Sequence, residues 1–161
     1  MRNSTQEPGR ARRARTGNDR DAIALLKADH RQVERWFAQY GKARKTERKA
    51  MLAEKICEAL RTHMRIEEEI FYPAFLVATQ ETDLHHEAQV EHAGAKRLIG
   101  EIEAMRPGDE YYDAKVKVLS EMIKHHVKEE EKPGGLFAEA RKSDLDLGDL
   151  GRRMAARKLD G

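Results

Sequence analysis

Two short stretches of this 161-residue chain place a histidine and a carboxylate four residues apart: His63 with Glu67 in HMRIEEEIFYP, and His126 with Glu130 in HHVKEEE. On a helix, residues at that spacing project from one face toward the same point. Neutral imidazole is a ligand for iron, zinc or copper, and a carboxylate can bridge two hard or borderline cations. Two further histidines, His30 in ADHRQVERWF and His92 in VEHAGAKRLI, fall where the surrounding pattern asks for an apolar side chain. Each imidazole taken into a core needs hydrogen-bond partners, and each carboxylate costs several kcal/mol there unless it is paired, protonated or bound to metal. A metal cluster removes these penalties together. Four nitrogens and two potentially bridging carboxylates exceed what a four-coordinate zinc takes, and they suit two iron ions with open positions.

The elements that must position these groups are legible in the apolar spacing, which alternates between three and four from Asp21 onward, the period of helices packed on neighbours. The first series is Ile23, Leu26, His30, Val33, Phe37 and Tyr40, ending near Gly41. The second opens near Thr46, whose hydroxyl offers a cap, and runs Leu52, Ile56, Ala59, His63, Ile66 or Glu67, Ile70, Ala74. Pro73 is expected to kink this helix or to mark its final irregular turn. The third begins at Thr82 or Asp83, either a candidate cap, and gives Ala88, His92, Ala95, Ile99 and Ile102 before Arg106-Pro107-Gly108. The fourth reads Tyr112, Val116, Leu119, Ile123, His126 and Glu130, and Pro133-Gly134-Gly135 stops it.

Short connections between four helices of similar length predict an all-α fold, an antiparallel up-down four-helix bundle over residues 21–140. In the tail, 141–161, Leu147, Leu150, Met154 and Leu159 predict a short additional C-terminal helix docked on the outside. One histidine per helix lies on the seam. His85, His86 and His125 lie off it, and Glu68, Glu69, Glu129 and Glu131 are expected to face solvent.

Net charge is only +2, so no global field indicates nucleic acid or an anionic membrane. Arg2, Arg10, Arg12, Arg13 and Arg15 lie among Ser, Thr, Gly, Pro and Asn, which predicts a disordered arm over 1–20 with no secretory signal core. The single cysteine, Cys57, reads as a packing residue; with no membrane-length apolar run, a reducing cytoplasmic setting is expected. No Ser-His-Asp set or phosphate loop indicates a hydrolase or kinase, and nothing in the pattern signals a pocket of substrate size. The Glu-x-x-His motif of ferritin-like carboxylate proteins is not matched.

Taken together, the four quoted stretches resemble the hemerythrin-like, HHE cation-binding domain, over roughly residues 21–140. The resemblance implies a four-helix bundle around a non-haem di-iron centre, two ferrous or ferric ions with an oxo or hydroxo bridge. Such a centre handles dioxygen, peroxide or nitric oxide. The resemblance carries the ligand roles onto His30, His63, Glu67, His92, His126 and Glu130. The oxygen-carrying members place two histidines one turn apart on the third helix, but Ala88 and Lys96 flank His92 here, so one nitrogen is missing. Their last helix spaces histidine and carboxylate by five, which would pair His125 with Glu130 or His126 with Glu131; seam periodicity favours His126 with Glu130.

Tyr72 and Glu91 are candidates to complete the site, as hydrogen-bonding or packing residues before ligands. Ile70, Phe71 and Phe75 are expected to exclude water, with Trp36 and Phe37 near His30 as further wall or plain core. A metal-binding module without redox turnover, for iron storage, iron sensing or zinc, is the alternative function. A helical interaction protein whose basic arm docks on an acidic partner ranks third.

Overall fold

A computed structural model describes residues 20–161; the Arg-rich segment, apart from Arg20, lies outside the described residues. Among the described residues every regular element is helical: α1 (Ala22–Lys42), α2 (Thr46–Ile66), a π-helical turn (Glu67–Phe71), α3 (Tyr72–Thr79), α4 (Thr82–Glu103), α5 (Tyr112–Glu131), α6 (Leu136–Lys142) and α7 (Leu147–Leu159). α2, the π turn and α3 run on without a break, so α1, this composite rod, α4 and α5 form the four-helix bundle. None of these helices is long and apolar enough to cross a membrane.

Each rod buries the stripe its periodicity marks. Ile23, Leu26, His30, Val33, Phe37 and Tyr40 are buried on α1, and Ala88, His92, Ala95, Ile99 and Ile102 on α4. The helix starts follow the sequence less closely. Asp21 caps α1, its carboxylate accepting from the Ala24 N–H at 2.8 Å. Thr46 and Thr82, however, are the first residues inside α2 and α4, with Lys45 and Glu81 at the cap positions and no side-chain cap bond at either. A residue already in helical geometry cannot fold its side chain back onto the first free N–H groups. α1 ends at Lys42, one residue past Gly41, with Ala43 at the cap position.

Pro73 neither ends nor breaks its rod, which continues to Thr79 and stops where Gln80 turns left-handed (φ 59°). Proline lacks an N–H and its ring crowds the carbonyl four residues back. The chain relieves this just upstream by inserting one residue, so that the Tyr72 N–H donates to the Glu67 carbonyl five residues earlier. Because of that insertion, Glu67 and Tyr72, five apart, share one face.

Two hydrocarbon clusters fill the molecule. One runs from Val33, Leu60 and Met64 to Tyr40, Leu52 and Tyr112 at one end of the bundle. The other gathers Ile23, Leu26, Phe71, Phe75, Phe137 and Met154 at the opposite end. The second is completed by α6 and α7. A Cβ on Gly135 would collide with the Glu129 and Glu130 carbonyls, so glycine is what lets the chain turn back sharply after α5 and bring Phe137 inward. A Cβ on Gly151 would collide with the backbone of Arg20 and Ala22, so glycine likewise permits α7 to dock against the start of α1. The expected outer stripe of α7 is shorter than its spacing suggested: Leu150 and Met154 are buried, whereas Leu159, in the last turn beyond the docked surface, is 88% exposed.

Candidate metal centre

Between the two hydrocarbon clusters lie the polar groups the core retains: His30, His63, Glu67, His92, His126 and Glu130, all buried. They form two imidazole pairs with two carboxylates between them. The Nε2 atoms of His30 and His63 stand 3.2 Å apart, as do those of His92 and His126. Ring centroids are 4.8 Å apart in both pairs. Glu67 Oε1 lies 2.8 Å from His63 Nε2, while its Oε2 lies 3.0 Å from His92 Nε2 and 3.9 Å from His126 Nε2. Glu130 repeats the arrangement, with Oε2 at 3.3 Å from His30 Nε2 and Oε1 at 3.2 Å from His126 Nε2. Each carboxylate therefore turns one oxygen to each pair.

Two overlapping groups have the compactness a metal ion requires. In His30, His63, Glu67 and Glu130, and again in Glu67, His92 and His126, one donor atom per residue falls within 4.8 Å of all the others. The donor set also carries needs that protein partners leave unmet. Glu67 Oε1 and Glu130 Oε2 are fully buried and accept no hydrogen bond, although imidazole nitrogens stand close to both. A cation between facing nitrogens and carboxylate oxygens satisfies them at once. The residues present fit a metal pair.

Tyr72 adds to this crowding of acceptors. Its hydroxyl lies 2.5 Å from Glu130 Oε1, 2.7 Å from Glu67 Oε2 and 3.2 Å from His92 Nε2. One phenolic proton serves only one of these at a time. The π turn is what brings this hydroxyl beside Glu67, and nothing in an ordinary helical period would have placed it there.

The charges are strongly interdependent. Burial raises the Glu67 carboxyl, but the His63 charge and the close imidazoles of His126, His63 and His92 outweigh it and hold the group well below the usual carboxylate range. Glu130 is raised by burial and by the Glu67 charge, yet His126 and His30 bring it down to about 2. Burial lowers His63, but Glu67 and Asp29 push it up to about 10, and His126 is likewise held well above its ordinary value. Burial and the two carboxylate charges raise Tyr72 well above the ordinary phenol range, which keeps its proton in place. The acids stay ionised at neutral pH and draw cations.

An outer layer orients the rings. His63 Nδ1 meets Asp29 at 3.1 Å, His92 Nδ1 meets Glu68 at 2.9 Å, and His126 Nδ1 meets Glu91 at 2.5 Å. Such contacts fix which nitrogen is free for a metal. Two of these acids are held in turn by a cation: Asp29 by Lys158 of α7 at 2.6 Å, and Glu68 by Lys96 at 2.5 Å. Glu91 has His125 at 3.3 Å. His30 differs, because its Nδ1 has no hydrogen-bond partner and Glu131 stands 3.8 Å away, paired to Arg31.

Several of these placements depart from the sequence reading. Glu68 and Glu131 turn inward, whereas Glu69 and Glu129 sit on the outer surface with Arg157 and Lys132. Asp29, Lys158 and Phe137 carried no periodic signal. The outer acids did leave a clue in proximity, since Asp29, Glu68 and Glu91 each adjoin a seam group in sequence but serve an imidazole on another helix. Trp36 and Phe37 take the plain-core alternative of the sequence reading, packing in the first hydrocarbon cluster. The wall of the site is Phe137, stacked on His30 at 5.7 Å, backed by Phe71, Phe75 and partly buried Ile70. His125 is mostly exposed, whereas His126 lies inside, as does Glu130. His85 only edges the Tyr72 ring at 6.1 Å. Cys57 is buried, and burial with the Glu103 charge pushes its thiol up to about 11, which makes it unreactive.

No curated protein matches the chain. Among solved structures, the crystal structure of a hemerythrin HHE cation binding domain-containing protein, the Rv2633c homolog from Mycobacterium kansasii, is similar with a TM-score of 0.72. The two are 25% identical, over 88% of this chain and 86% of that one. The family described as Hemerythrin HHE cation binding domain matches residues 21–133, a span that contains all four seam histidines and both buried carboxylates. With that match over well more than half its length, the chain belongs to the hemerythrin HHE cation-binding domain family.

Proposed function

We propose that this chain is a non-haem di-iron protein that binds or reacts with dioxygen, peroxide or nitric oxide, as a sensor, scavenger or carrier. The observation that carries the reading is Glu67, whose two oxygens face different imidazole pairs and which belongs to both compact donor groups. His30, His63, Glu67 and Glu130 would hold one ion; His92 and His126, with the same two carboxylates, would hold the other. When bound, iron supplies ferrous–ferric redox cycling and open positions for a small oxygen-containing ligand.

The chain's own residues do the rest. Asp29, Glu68 and Glu91 hold the imidazole rings in the tautomer that leaves Nε2 free. Tyr72 keeps a proton beside the second pair, where helix α4 supplies no further nitrogen because Ala88 occupies the position one turn before His92. Phe71, Phe75 and Phe137 exclude water from the carboxylate end.

Metal analysis with an optical spectrum of protein made in iron-rich medium tests the reading. About two irons per chain are expected, with near-ultraviolet absorption that changes on adding azide or peroxide. His63→Ala and His126→Ala should each lose metal; iron content and spectrum unchanged in both variants would overturn the assignment. The imidazole-rich set also suits a module without redox turnover, holding zinc or storing iron. A stoichiometrically loaded but spectroscopically silent protein would favour that alternative.

A further inference from the structure

Against the same imidazoles the bundle forms a partly open, largely apolar cavity of about 210 Å³, with Asp29, Glu91 and His125 at its rim, which Glu67, Glu130 and Tyr72 do not line. Its walls come from all four rods: Val33 of α1, Leu60 and Met64 of α2, Ala95 of α4, and Ile123 and Val127 of α5. Each holds an ordinary seam position or its neighbour, so the sequence pattern gave no sign of a pocket. Among its apolar walls α4 contributes only Ala95, the small residue one turn after His92.

The chamber's chemistry follows from the rings above it. All four histidines turn Nε2 toward the carboxylate layer, and three bind outer acids through Nδ1. What they offer the cavity is ring carbon. An apolar cavity of roughly 150 Å³ stays dry and takes up benzene. This one is larger, and a two-atom ligand such as dioxygen would leave most of it unfilled. On the α4–α5 side the boundary is a flexible thioether: partly buried Met122 lies over Gly94, its methyl carbon 3.1 Å from where a Cβ on that glycine would stand. Exposed His125 and Glu91 flank it. Rotation of one methionine side chain there would widen the opening without moving backbone.

We propose that this chamber is a binding site for a compact apolar organic group of about benzene size. Small apolar molecules, alkyl hydroperoxides among them, then become a substrate class of the adjoining centre. The site stands on the cavity; the substrate class rests on the di-iron reading above.

The test is a ligand-observed NMR titration of the protein as purified, and again after exchange into zinc so that no turnover competes, with benzene and with tert-butyl hydroperoxide. Both should bind saturably at one per chain and displace each other. Ala95→Leu extends a side chain into the cavity and should weaken both by about tenfold or more, with helical circular dichroism retained. Ala95→Val, a smaller filling, keeps the test decisive should the leucine variant fail to fold. Absence of saturable benzene binding to the unsubstituted protein overturns the proposal, as does binding that neither filling weakens. Iron content measured on the same preparations separates the two claims. Benzene bound by a protein that holds no iron leaves the chamber standing and removes the substrate class, whereas iron held without benzene binding removes the chamber alone.

Discussion

His30 and His63, from α1 and α2, face each other at 3.2 Å, and His92 and His126, from α4 and α5, do so at the same distance. Around the first pair the chain supplies a phenyl ring, Phe137 stacked on His30; around the second it supplies a phenol, Tyr72 within 3.2 Å of His92. The bracing differs as well. Both imidazoles of the second pair rest on an outer acid, whereas in the first only His63 does, and His30 is held by stacking. Like helices with like spacing reproduce the donor geometry, but what surrounds a pair is set by whichever elements happen to pack there. Here α6 closes the first pair with hydrocarbon, and the π turn hands the second a proton donor. The two halves should therefore differ in affinity and reactivity while sharing their carboxylates.

The largest effect should come from breaking what is shared. Glu67→Ala removes an oxygen from both pairs at once, and elemental analysis should find iron falling from about two per chain to near none. Loss of only one iron would mean that the halves are independent. Next is Tyr72→Phe, which removes the hydroxyl that meets His92 and the carboxylate oxygens turned toward the second pair: about tenfold weaker retention of one iron against a chelator, with the other unchanged, would mark the asymmetry. Equal weakening of both would erase it. Asp29→Asn removes the only outer acid of the first pair and should cost a comparable or smaller factor there, at most about tenfold; competition with a chromophoric chelator reads it directly.

The smallest effect concerns the metal-free protein and its pH dependence. Burial lowers His63, but Glu67 and Asp29 raise it to about 10, above its ordinary 6.5. Its imidazolium therefore stabilises the fold fully below 6.5, and that contribution is lost as pH rises through about 10. Burial and Glu67 raise Glu130, but His126 and His30 hold it at about 2, below its ordinary 4.5, so its contribution is lost as pH falls through that lower value. Urea midpoints after chelation should thus be highest in mildly acidic buffer and decline on either side. A midpoint that climbs steadily toward alkaline pH would contradict the charge arrangement.

The seam itself was legible because burial of one helical face imposes a period that His30, His92, His126 and Glu130 do not interrupt, and the structure buries each of them. Pro73 marked an irregular turn and Tyr72 a candidate to reach the site, but the form of that turn and two further features were not legible, for distinct reasons. The π turn arises from a conflict between Pro73 and its preceding carbonyls whose resolution no single residue announces; only its consequence, Tyr72 beside Glu67, is visible. Glu68 sits in a run of three acids that looks uniformly solvated, and its inward turn depends on His92 from another helix. α6, at seven residues, is too short to show a period, yet Gly135 at its start permits the turn that delivers Phe137 to His30.

Anomalous diffraction at the iron edge, from crystals grown with ferrous salt, tests the shared-carboxylate centre most directly. Two separate peaks are predicted, one beside His30 and His63, the other beside His92 and His126, with Glu67 reaching both. A single peak, or none among these six side chains, would contradict it.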